Sequence, residues 1–405
     1  MSFIEGGVTA PKGFVASGLL SGIKAGRTKN DTALIYSEKK CSAAAVFTTN
    51  KVKAECVKLN IQNIKRGIAQ AVIANSGNAN ACTGTQGYQA AERMAKAVAS
   101  QLNLKPEEVF VCSTGVIGQQ LPVEKIELKA KELADSLSKE GNIAAREAIM
   151  TTDTRYKECA IEFQVGGKTC RMGTMAKGSG MIHINMGTML GFITTDCAIS
   201  ATMLDKALRT SIEGTYNCVS VDGDTSTNDT LLILANGMAE NTEITQDGAD
   251  YEAFLSALNK INTVMAKRIA ADGEGCEHLI ECRVAGAKSI KDARTLAKSV
   301  ISSNLVKAAF FGKDANWGRI LCAMGYSGAN FSPDKVSVSF ESENGKVQVC
   351  KNGMNLDFDE NLATSVLTAD ETVINVELND GEAEGTAWGC DLTYEYVKIN
   401  GDYRT

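Results

Sequence analysis

A threonine that follows a glycine inside an apolar stretch is the feature of this sequence with the clearest chemical potential. Gly187 and Thr188 lie in "NMGTML", between two methionines. A threonine at a chain N-terminus carries its own base, because its α-amino group, with a pKa of about 8, lies beside the hydroxyl. Such a terminus can arise internally when the hydroxyl attacks the preceding carbonyl and water releases the resulting ester. Thr188 is therefore a candidate nucleophile and Gly187–Thr188 a candidate cleavage site; a buried threonine in a glycine-kinked strand is the structural alternative.

Attack on an acyl group also needs hydrogen-bond donors for the oxyanion. In "VFVCSTGVIGQQL", Thr114 and Gly115 follow an apolar strand and precede a predicted helix. The amide of Gly115 and the hydroxyl or amide of Thr114 could converge on one oxygen. A strand-to-helix turn with a threonine cap is the alternative interpretation.

Other chemistries have less support. The two histidines, His183 and His278, are more typical of structural residues than of catalytic bases. Thirteen cysteines lack any C-x-x-C spacing, which predicts small buried side chains in a reducing compartment and no metal site. The glycine-rich segments "ANSGNANACTG" and "DGDTSTND" fit no nucleotide-binding or calcium-loop pattern, and the second predicts a loop of Asx turns between two strands.

The elements that must position these groups alternate between strand and helix patterns. Strands are predicted in "TALIYS", "AAAVFTT" and "AQAVIANSG", and helices over 88–102, 123–137 and 251–269, the last ended by "ADGEG". A hairpin about Asn344-Gly345 is followed by two further predicted strands, "TVINVEL" and "CDLTYEYVKI". The pattern predicts an α/β protein with a boundary near Glu281.

Bulk composition excludes several classes of protein. At 405 residues, two or three structural units are expected. A net charge of −6 without a basic face argues against nucleic acid as a partner. The sequence has no run of about 18 apolar residues and no signal-peptide pattern at its start, so we expect a cytoplasmic protein without a membrane span.

Ten segments, taken in order, resemble one family closely: the ornithine acetyltransferases, also called glutamate N-acetyltransferases, of the cyclic arginine pathway. The segments are "GGVTAPKGF", "ANSGNANACTG", "STGVIG", "TTDT", "AKGSGM", "NMGTML", "VDGDTSTND", "ADGEG", "KDANWGRI" and "VKINGDYRT". The resemblance covers essentially the whole chain. It implies a layered α/β sandwich of the aminopeptidase/ornithine acetyltransferase type, similar to N-terminal-nucleophile hydrolases but differently connected.

The resemblance also implies roles for individual residues. Thr188 would cut the precursor after Gly187 and then accept the acetyl group, while Thr114 and Gly115 would form the oxyanion hole. The implied substrate-contacting positions are Thr151, Lys177, Thr188, Glu274, Asn400 and Thr405. Lys177 would pair with the substrate carboxylate, and Glu274 would hold the ammonium or assist proton transfer.

The implied reaction moves an acetyl group from N-acetylornithine to glutamate in a ping-pong cycle, without a cofactor. Acetyl-coenzyme A remains open as a second donor. Cleavage would give an α chain, 1–187, and a β chain, 188–405, assembled as an α2β2 heterotetramer. In the β chain, 188–281 would complete the catalytic domain and 282–405 form a smaller α/β subdomain.

Two residues depart from the family pattern. Ile184 precedes Asn185 where proline is common, and Gly187 stands where alanine is usual. A looser backbone there would slow self-cleavage, and His183 could modulate that step. Two alternatives stay open: an aminopeptidase or amidase that uses the same threonine with water as acceptor, and an uncleaved binding protein without catalytic activity.

Overall fold

Apolar strands from both halves of the chain form the structure's sheets. The computed structural model describes residues 1–24, 26–183 and 189–402. In chain order the strands are β1 (Ser2–Ile4), β2 (Phe14–Leu19), β3 (Thr32–Phe47), β4 (Ile68–Asn78), β5 (Val109–Val116), β6 (Lys157–Val165), β7 (Lys168–Lys177), β8 (Ile182–His183), β9 (Leu190–Thr195), β10 (Ser220–Thr225), β11 (Thr230–Ala235), β12 (Leu279–Ala287), β13 (Ser337–Ser342), β14 (Gly345–Lys351), β15 (Met354–Asn355), β16 (Glu371–Glu377) and β17 (Ala383–Cys390).

The helices separate and cover these strands. They are α1 (Glu55–Asn63), α2 (Gly84–Leu102), α3 (Val123–Asp135), α4 (Asn142–Ala148), α5 (Ala201–Glu213), α6 (Ala249–Ala270), α7 (Ile290–Ser302), α8 (Asn304–Phe311), α9 (Trp317–Gly325), α10 (Glu360–Leu367) and α11 (Tyr394–Asp402). Short 3₁₀ turns occupy Ile64–Arg66, Pro106–Glu108, Tyr216–Cys218 and Pro333–Lys335.

The larger sheet mixes strands from both sides of the candidate cleavage site. Its order is β1-β6-β7-β9-β11-β3-β4-β5, with β2 paired to β3. β9 and β11 run parallel to each other, and each pairs on its other side with an antiparallel strand, β7 or β3. Two strands that follow residue 188 therefore lie between strands that precede it.

Both faces of the larger sheet are buried. Leu34, Ile73 and Val111 pack on one face with the apolar residues of α1, α2 and α3. The rest of the same face is covered by two other helices: α5 packs on β3, and α6 packs on β6 and β7. Phe110 lies on the opposite face with residues of α4, such as Ala145. Burial on both faces gives the sheet the near-continuous apolar strands seen in β4 and β11.

The second sheet uses strands from the C-terminal part of the chain. Its order is β15-β14-β13-β16-β12-β17, and α7 packs against β12 and β17. Its apolar residues, among them Val284 and Trp388, belong to the same buried cluster as Phe254 of α6. This sheet begins at Leu279, close to Glu281. The division of 188–405 into two subdomains stays a prediction.

The α/β class predicted from the sequence is confirmed, whereas the break between two predicted strands and the assignment of one further strand are wrong. "TALIYS" and "AAAVFTT" are one strand, β3, which bends at a register shift between Tyr36 and Cys41 without a turn. In "CDLTYEYVKI", only Cys390 belongs to a strand, the end of β17, and the residues from Tyr394 onward form helix α11. Its alternating pattern is overridden because the hydroxyl of Thr393 accepts a hydrogen bond from the Tyr396 amide (3.4 Å) at the start of the helix.

The state of the cysteines and the search for membrane-spanning helices bear on two further predictions from the sequence. The thirteen cysteines are all free thiols, and ten of them are buried, as their spacing predicted. Within residues 1–24, 26–183 and 189–402, no helix is long and apolar enough to cross a membrane.

Candidate active site

Every predicted site residue that the structure describes lines one and the same pocket. It is lined by Thr114, Gly115, Thr151, Lys177, Glu274 and Asn400, together with Ala79, Ile117, Thr152, Gly180, Met181, Ser226, Thr227 and Asn228. Its empty space is about 590 Å³, counting the open mouth. Residues separated by almost 300 positions in the sequence therefore meet at one surface.

The predicted oxyanion pair lies where two parallel strands approach closely. Gly115, in β5, pairs with Gly77 of β4 and has φ of +132°. A Cβ on Gly115 would lie 2.4 Å from the carbonyl carbon of Gly77, so a side chain has no room there. This close approach holds Thr114 and Gly115 at the wall of the pocket, but at the end of a strand and not in the expected turn.

Lys177 lies beside Thr114 at the end of β7. Its Nζ is 3.4 Å from Oγ1 of Thr114, and the residue is only 8% exposed. Burial and the charge of Lys157 lower the pKa of Lys177, although the carboxylates of Asp153, Asp229 and Glu274 oppose that shift. The Lys177 side chain is thus placed directly beside the predicted oxyanion site.

Asp153 is a central residue that the sequence analysis missed. One carboxylate oxygen accepts hydrogen bonds from the amide of Gly178 and from Nζ of Lys157, both at 2.7 Å, and the other accepts one from the Thr151 amide at 3.1 Å. Burial opposes its charge, but Lys177 and Lys157 outweigh burial and hold the pKa of Asp153 at about 2. Asp153 therefore fixes two predicted substrate-contacting positions, Thr151 directly and Lys177 through the next residue. Its position in "TTDT" was the available signal.

A buried ion pair supports this loop from behind. Lys157 also pairs with Asp272, and their side chains are 1% and 2% exposed. Asp272 further accepts hydrogen bonds from the amides of Thr154 (3.1 Å) and Arg155 (3.2 Å). The start of β6 is thereby joined to the end of α6, just before Glu274.

Glu274 and Asn400 meet although they come from distant segments. Nδ2 of Asn400, on α11, donates to Oε2 of Glu274 at 2.9 Å. The Glu274 amide donates to the carbonyl of Ser179 at 3.1 Å, and a Cβ on Gly180 would lie 2.3 Å from the Glu274 carboxyl carbon. A side chain on Gly180 would therefore displace the Glu274 carboxyl group from its present position.

Asn228 and Asp229, from the loop "DGDTSTND", were interpreted from the sequence only as part of a turn. Residues 222–225 belong to β10, so only 226–229 link β10 to β11. Nδ2 of Asn228 donates to the carbonyls of Ala79 (2.6 Å) and Ser113 (2.7 Å). The carboxyl of Asp229 lies at the inner end of the pocket beside Lys177 and Met189, and burial raises its pKa well above the usual range.

Several predicted residues lie outside the described part of the chain. Thr405 and the segment 184–188, with Ile184, Gly187 and Thr188, are among them. The neighbouring residues Ile182 and Met189 both line the inner end of the pocket. The carbonyl of Met189 accepts a hydrogen bond from the Thr230 amide at 2.8 Å, which fixes the start of β9.

Neither histidine lines the pocket among the described residues. Nδ1 of His183 lies 3.0 Å from the hydroxyl of Ser220 in the β8–β10 pair, and burial together with the charge of Lys298 lowers its pKa to about 4. Nδ1 of His278 contacts the carbonyl of Ala369 at 3.1 Å. Both contacts are those of structural histidines.

One group of potential metal ligands lies away from the pocket. Ligand atoms of Glu277, His278 and Asp391 are within 4.8 Å of one another. One oxygen of Asp391 already accepts the amides of Glu277 (2.9 Å) and His278 (3.1 Å), and the charge of Lys307 acts on the same carboxylate. These protein groups supply the compensation a cation would give, so we assign no metal to the group.

Comparison with known proteins gives the family. The ArgJ family model matches residues 15–405. The arginine biosynthesis bifunctional protein ArgJ of Caldanaerobacter subterraneus subsp. tengcongensis is 54% identical over 406 residues, with 100% of both chains covered. ArgJ 1 of Clostridium acetobutylicum is 53% identical over 97% of this chain and 96% of its own.

A solved structure was also matched. Ornithine acetyltransferase from Mycobacterium tuberculosis, crystallised with ornithine, is 40% identical with a TM-score of 0.43, over 45% of this chain and 98% of that one. The matches over the full chain length confirm the resemblance found in the sequence and the interpretation as an acyltransferase. The chain belongs to the ArgJ family of arginine-biosynthesis enzymes.

Proposed function

We propose that this protein transfers an acetyl group from N2-acetylornithine to glutamate through an ester on Thr188, after it has cut its own chain between Gly187 and Thr188. The observation that carries the proposal is the convergence of Thr114, Lys177 and Glu274, with the other described site residues, on one small-molecule pocket. Met189, the residue after Thr188, lines the inner end of that pocket.

In the proposed self-cleavage, the hydroxyl of Thr188 attacks the carbonyl of Gly187 and the peptide bond becomes an ester. Water then hydrolyses the ester, which leaves Thr188 with a free α-amine. Gly187 permits this attack because it has no side chain to shield its carbonyl, although its looser backbone would slow the step relative to alanine. The new amine would supply a base directly beside the hydroxyl that it must activate, a role that neither histidine can take because neither lines the described pocket.

In the proposed acetyl transfer, Thr188 attacks the acetamide carbonyl and its amine takes the hydroxyl proton. Thr114 and Gly115 donate to the oxyanion, and the ammonium of Lys177, 3.4 Å from Oγ1 of Thr114, adds positive charge at the same place. Ornithine leaves with the proton, and the glutamate amine then attacks the acetyl ester.

Substrate selection follows from the charges around the pocket. Thr151 and the ammonium of Lys177 suit a carboxylate, whereas Glu274, held by Asn400 at 2.9 Å, suits the ammonium of ornithine. The two substrates share their α-amino-acid end, so one pocket can serve both. We further propose that acetyl-coenzyme A is a second donor, that the chains assemble as α2β2, and that the enzyme acts in the cytoplasm.

Replacement of the nucleophile tests the proposal directly. On a denaturing gel the purified protein should give two bands of about half the full size, whereas Thr188→Ala should give one full-length band without transferase activity. Thr188→Ser is the matched control, because its hydroxyl should still permit cleavage. A single full-length band from the wild type, with activity unchanged by Thr188→Ala, would contradict the proposal.

A second assay separates transfer from hydrolysis. With N-acetylornithine as donor, added glutamate should be converted to N-acetylglutamate in step with ornithine release. Ornithine and acetate released at the same rate with and without glutamate would instead identify an amidase.

A further inference from the structure

A second cavity is lined in part by residues that follow a wall of the catalytic pocket in the chain. It is lined by Arg146, Arg155, Tyr156, Lys157, Glu158, Arg268 and Ala271, and we call it the arginine pocket. Its empty space is about 820 Å³, counting its open mouth. The loop before β6 forms part of both cavities, because Thr151 and Thr152 line the catalytic pocket and the residues from Arg155 onward line the arginine pocket.

The arginine pocket carries excess positive charge. Arg146 pairs with Glu158, and Lys157 is compensated by Asp153 and Asp272. Arg155 and Arg268 form no ion pair with any residue in the described ranges. Two guanidinium groups are therefore left for an anion, and the planar donors of arginine match phosphate oxygens.

The two arginines are attached to fixed parts of the fold. The Arg155 amide donates to Asp272 at 3.2 Å, and Arg268 lies on the last turns of α6 and donates to the carbonyl of Glu158. The binding groups are thus mounted on supported backbone, so an anion would meet a largely preformed site.

An aromatic ring lies among these charges. Tyr156 is 50% exposed, and the guanidinium of Arg146 lies 4.2 Å from the centre of its ring. Arg146 thus covers one face of the ring while a large part of the side chain remains open to solvent. A half-exposed ring beside unpaired arginines suits a ligand that combines a flat heterocycle with phosphate groups.

We propose that the arginine pocket binds the adenosine and phosphate end of a coenzyme A thioester. The proposal rests on acetyl-coenzyme A as the second donor proposed above, and it gives that donor a site of its own. The phosphates would bind Arg155 and Arg268, the adenine would stack on Tyr156, and the acyl arm would follow the loop 151–157 to the catalytic pocket.

The transfer step balances in the same way as the first reaction. The Thr188 oxygen attacks the thioester carbonyl, the carbon–sulfur bond breaks, and the hydroxyl proton passes through the α-amine to the departing thiolate. Glutamate then takes the acetyl group, and free coenzyme A leaves from the arginine pocket.

Steady-state kinetics with both donors test the proposal. In Arg155→Gln combined with Arg268→Gln, the KM for acetyl-coenzyme A should rise at least about tenfold, because charge-assisted hydrogen bonds are lost. The KM for N-acetylornithine should change less than about twofold. Arg209→Gln, which removes an exposed arginine of α5 outside the pocket, is the matched control and should change neither value. Equal effects on both donors, or none on acetyl-coenzyme A, would overturn the proposal.

Calorimetry separates binding from the proposed reaction. Coenzyme A and adenosine 3′,5′-bisphosphate should bind the wild type, bind at least about tenfold more weakly to the double variant, and compete with each other. Inorganic phosphate that binds as tightly as the bisphosphate would identify a simple anion site and overturn the proposal. If coenzyme A binds as expected but its acetyl thioester gives no product, the pocket stands and the second-donor reaction fails.

Discussion

Asp153 shows how the site depends on charges that do not themselves need to touch a substrate. The carboxylate is held ionised by Lys177 and Lys157, with a pKa of about 2, and it positions the Thr151 and Gly178 amides. Because its pKa is below the unfolded value of about 3.9, this contribution to stability is present above pH 4 and lost as the pH falls toward 2. Over the whole physiological range the loop is therefore held in place.

His183, in contrast to the ionised Asp153, is a base whose neutral form is favoured by the fold. Its pKa falls from 6.5 to about 4 in the folded protein, so the unfolded chain takes up a proton first as the pH drops. Stability from this residue is complete above pH 6.5 and declines toward pH 4. We expect His183→Asn to lose less thermal stability than the wild type between about pH 7.5 and about pH 4.5.

The comparison requires melting curves of both proteins at both pH values. For each protein, the melting temperature at the lower pH is subtracted from that at the higher pH. Any effect of the substitution that does not depend on pH then cancels. An equal drop in melting temperature for the two proteins would show that His183 does not carry this pH dependence.

At this scale the sequence predicted the residues that meet in the pocket better than the residues that hold them in place. Thr114 and Lys177 stand in segments with a family resemblance, and the structure brings them together. Asp229 was passed over because nothing in "DGDTSTND" indicates which acid becomes buried. Burial is set by tertiary packing, and a local pattern does not record it.

At the scale of elements, the Lys157–Asp272 pair is the connection between the start of β6 and the end of α6. Asp272→Asn would leave Lys157 buried with one carboxylate, Asp153, and would weaken the hold on the Thr154 and Arg155 amides. We expect a loss of about 3 kcal/mol in the free energy of unfolding, because breaking a buried ion pair leaves an undercompensated charge.

The free energy of unfolding of Asp272→Asn is measured by denaturant titration, and Asp135→Asn, measured in the same way, is the control. Asp135 also pairs with a lysine, Lys131, but on the exposed surface of α3, where loss of the pair should cost less than about 0.5 kcal/mol. Similar losses for the two variants would mean that the buried pair has no special role in joining β6 to α6.

The elements predicted well were those with a long and consistent period. The residues at helical spacing from Tyr251 to Ile269 lie in α6, and the turn at Asn344-Gly345 joins β13 to β14. α11 was mistaken for a strand because the seven residues from Cys390 to Tyr396 alternate between apolar and polar, and because no buried residue of α11 creates a helical period. Exposed terminal helices give the weakest pattern.

At the scale of the molecule, the strand order determines what self-cleavage would produce. β9 and β11 follow residue 188 and are hydrogen-bonded to β7 and β3, which precede it. The two chains would share one sheet and one core on each face, so a break at 187/188 would not free either part.

We therefore expect both chains to elute together in size-exclusion chromatography without denaturant, even at high salt, because the contacts between them are mostly apolar. The same sample should separate into two components in denaturant. Release of either chain under native conditions would show that the β7–β9 and β11–β3 pairings do not hold the cleaved protein together.

The interleaved strand order also has a consequence for quality control in the cell. If the proposed cut depends on this pocket, which is assembled from residues between Ala79 and Asn400, a nascent or misfolded chain has no means of making it. Maturation would then act as a built-in folding sensor. The ratio of cut to uncut polypeptide on a gel would report what fraction of newly made enzyme has reached its native state, without any activity assay.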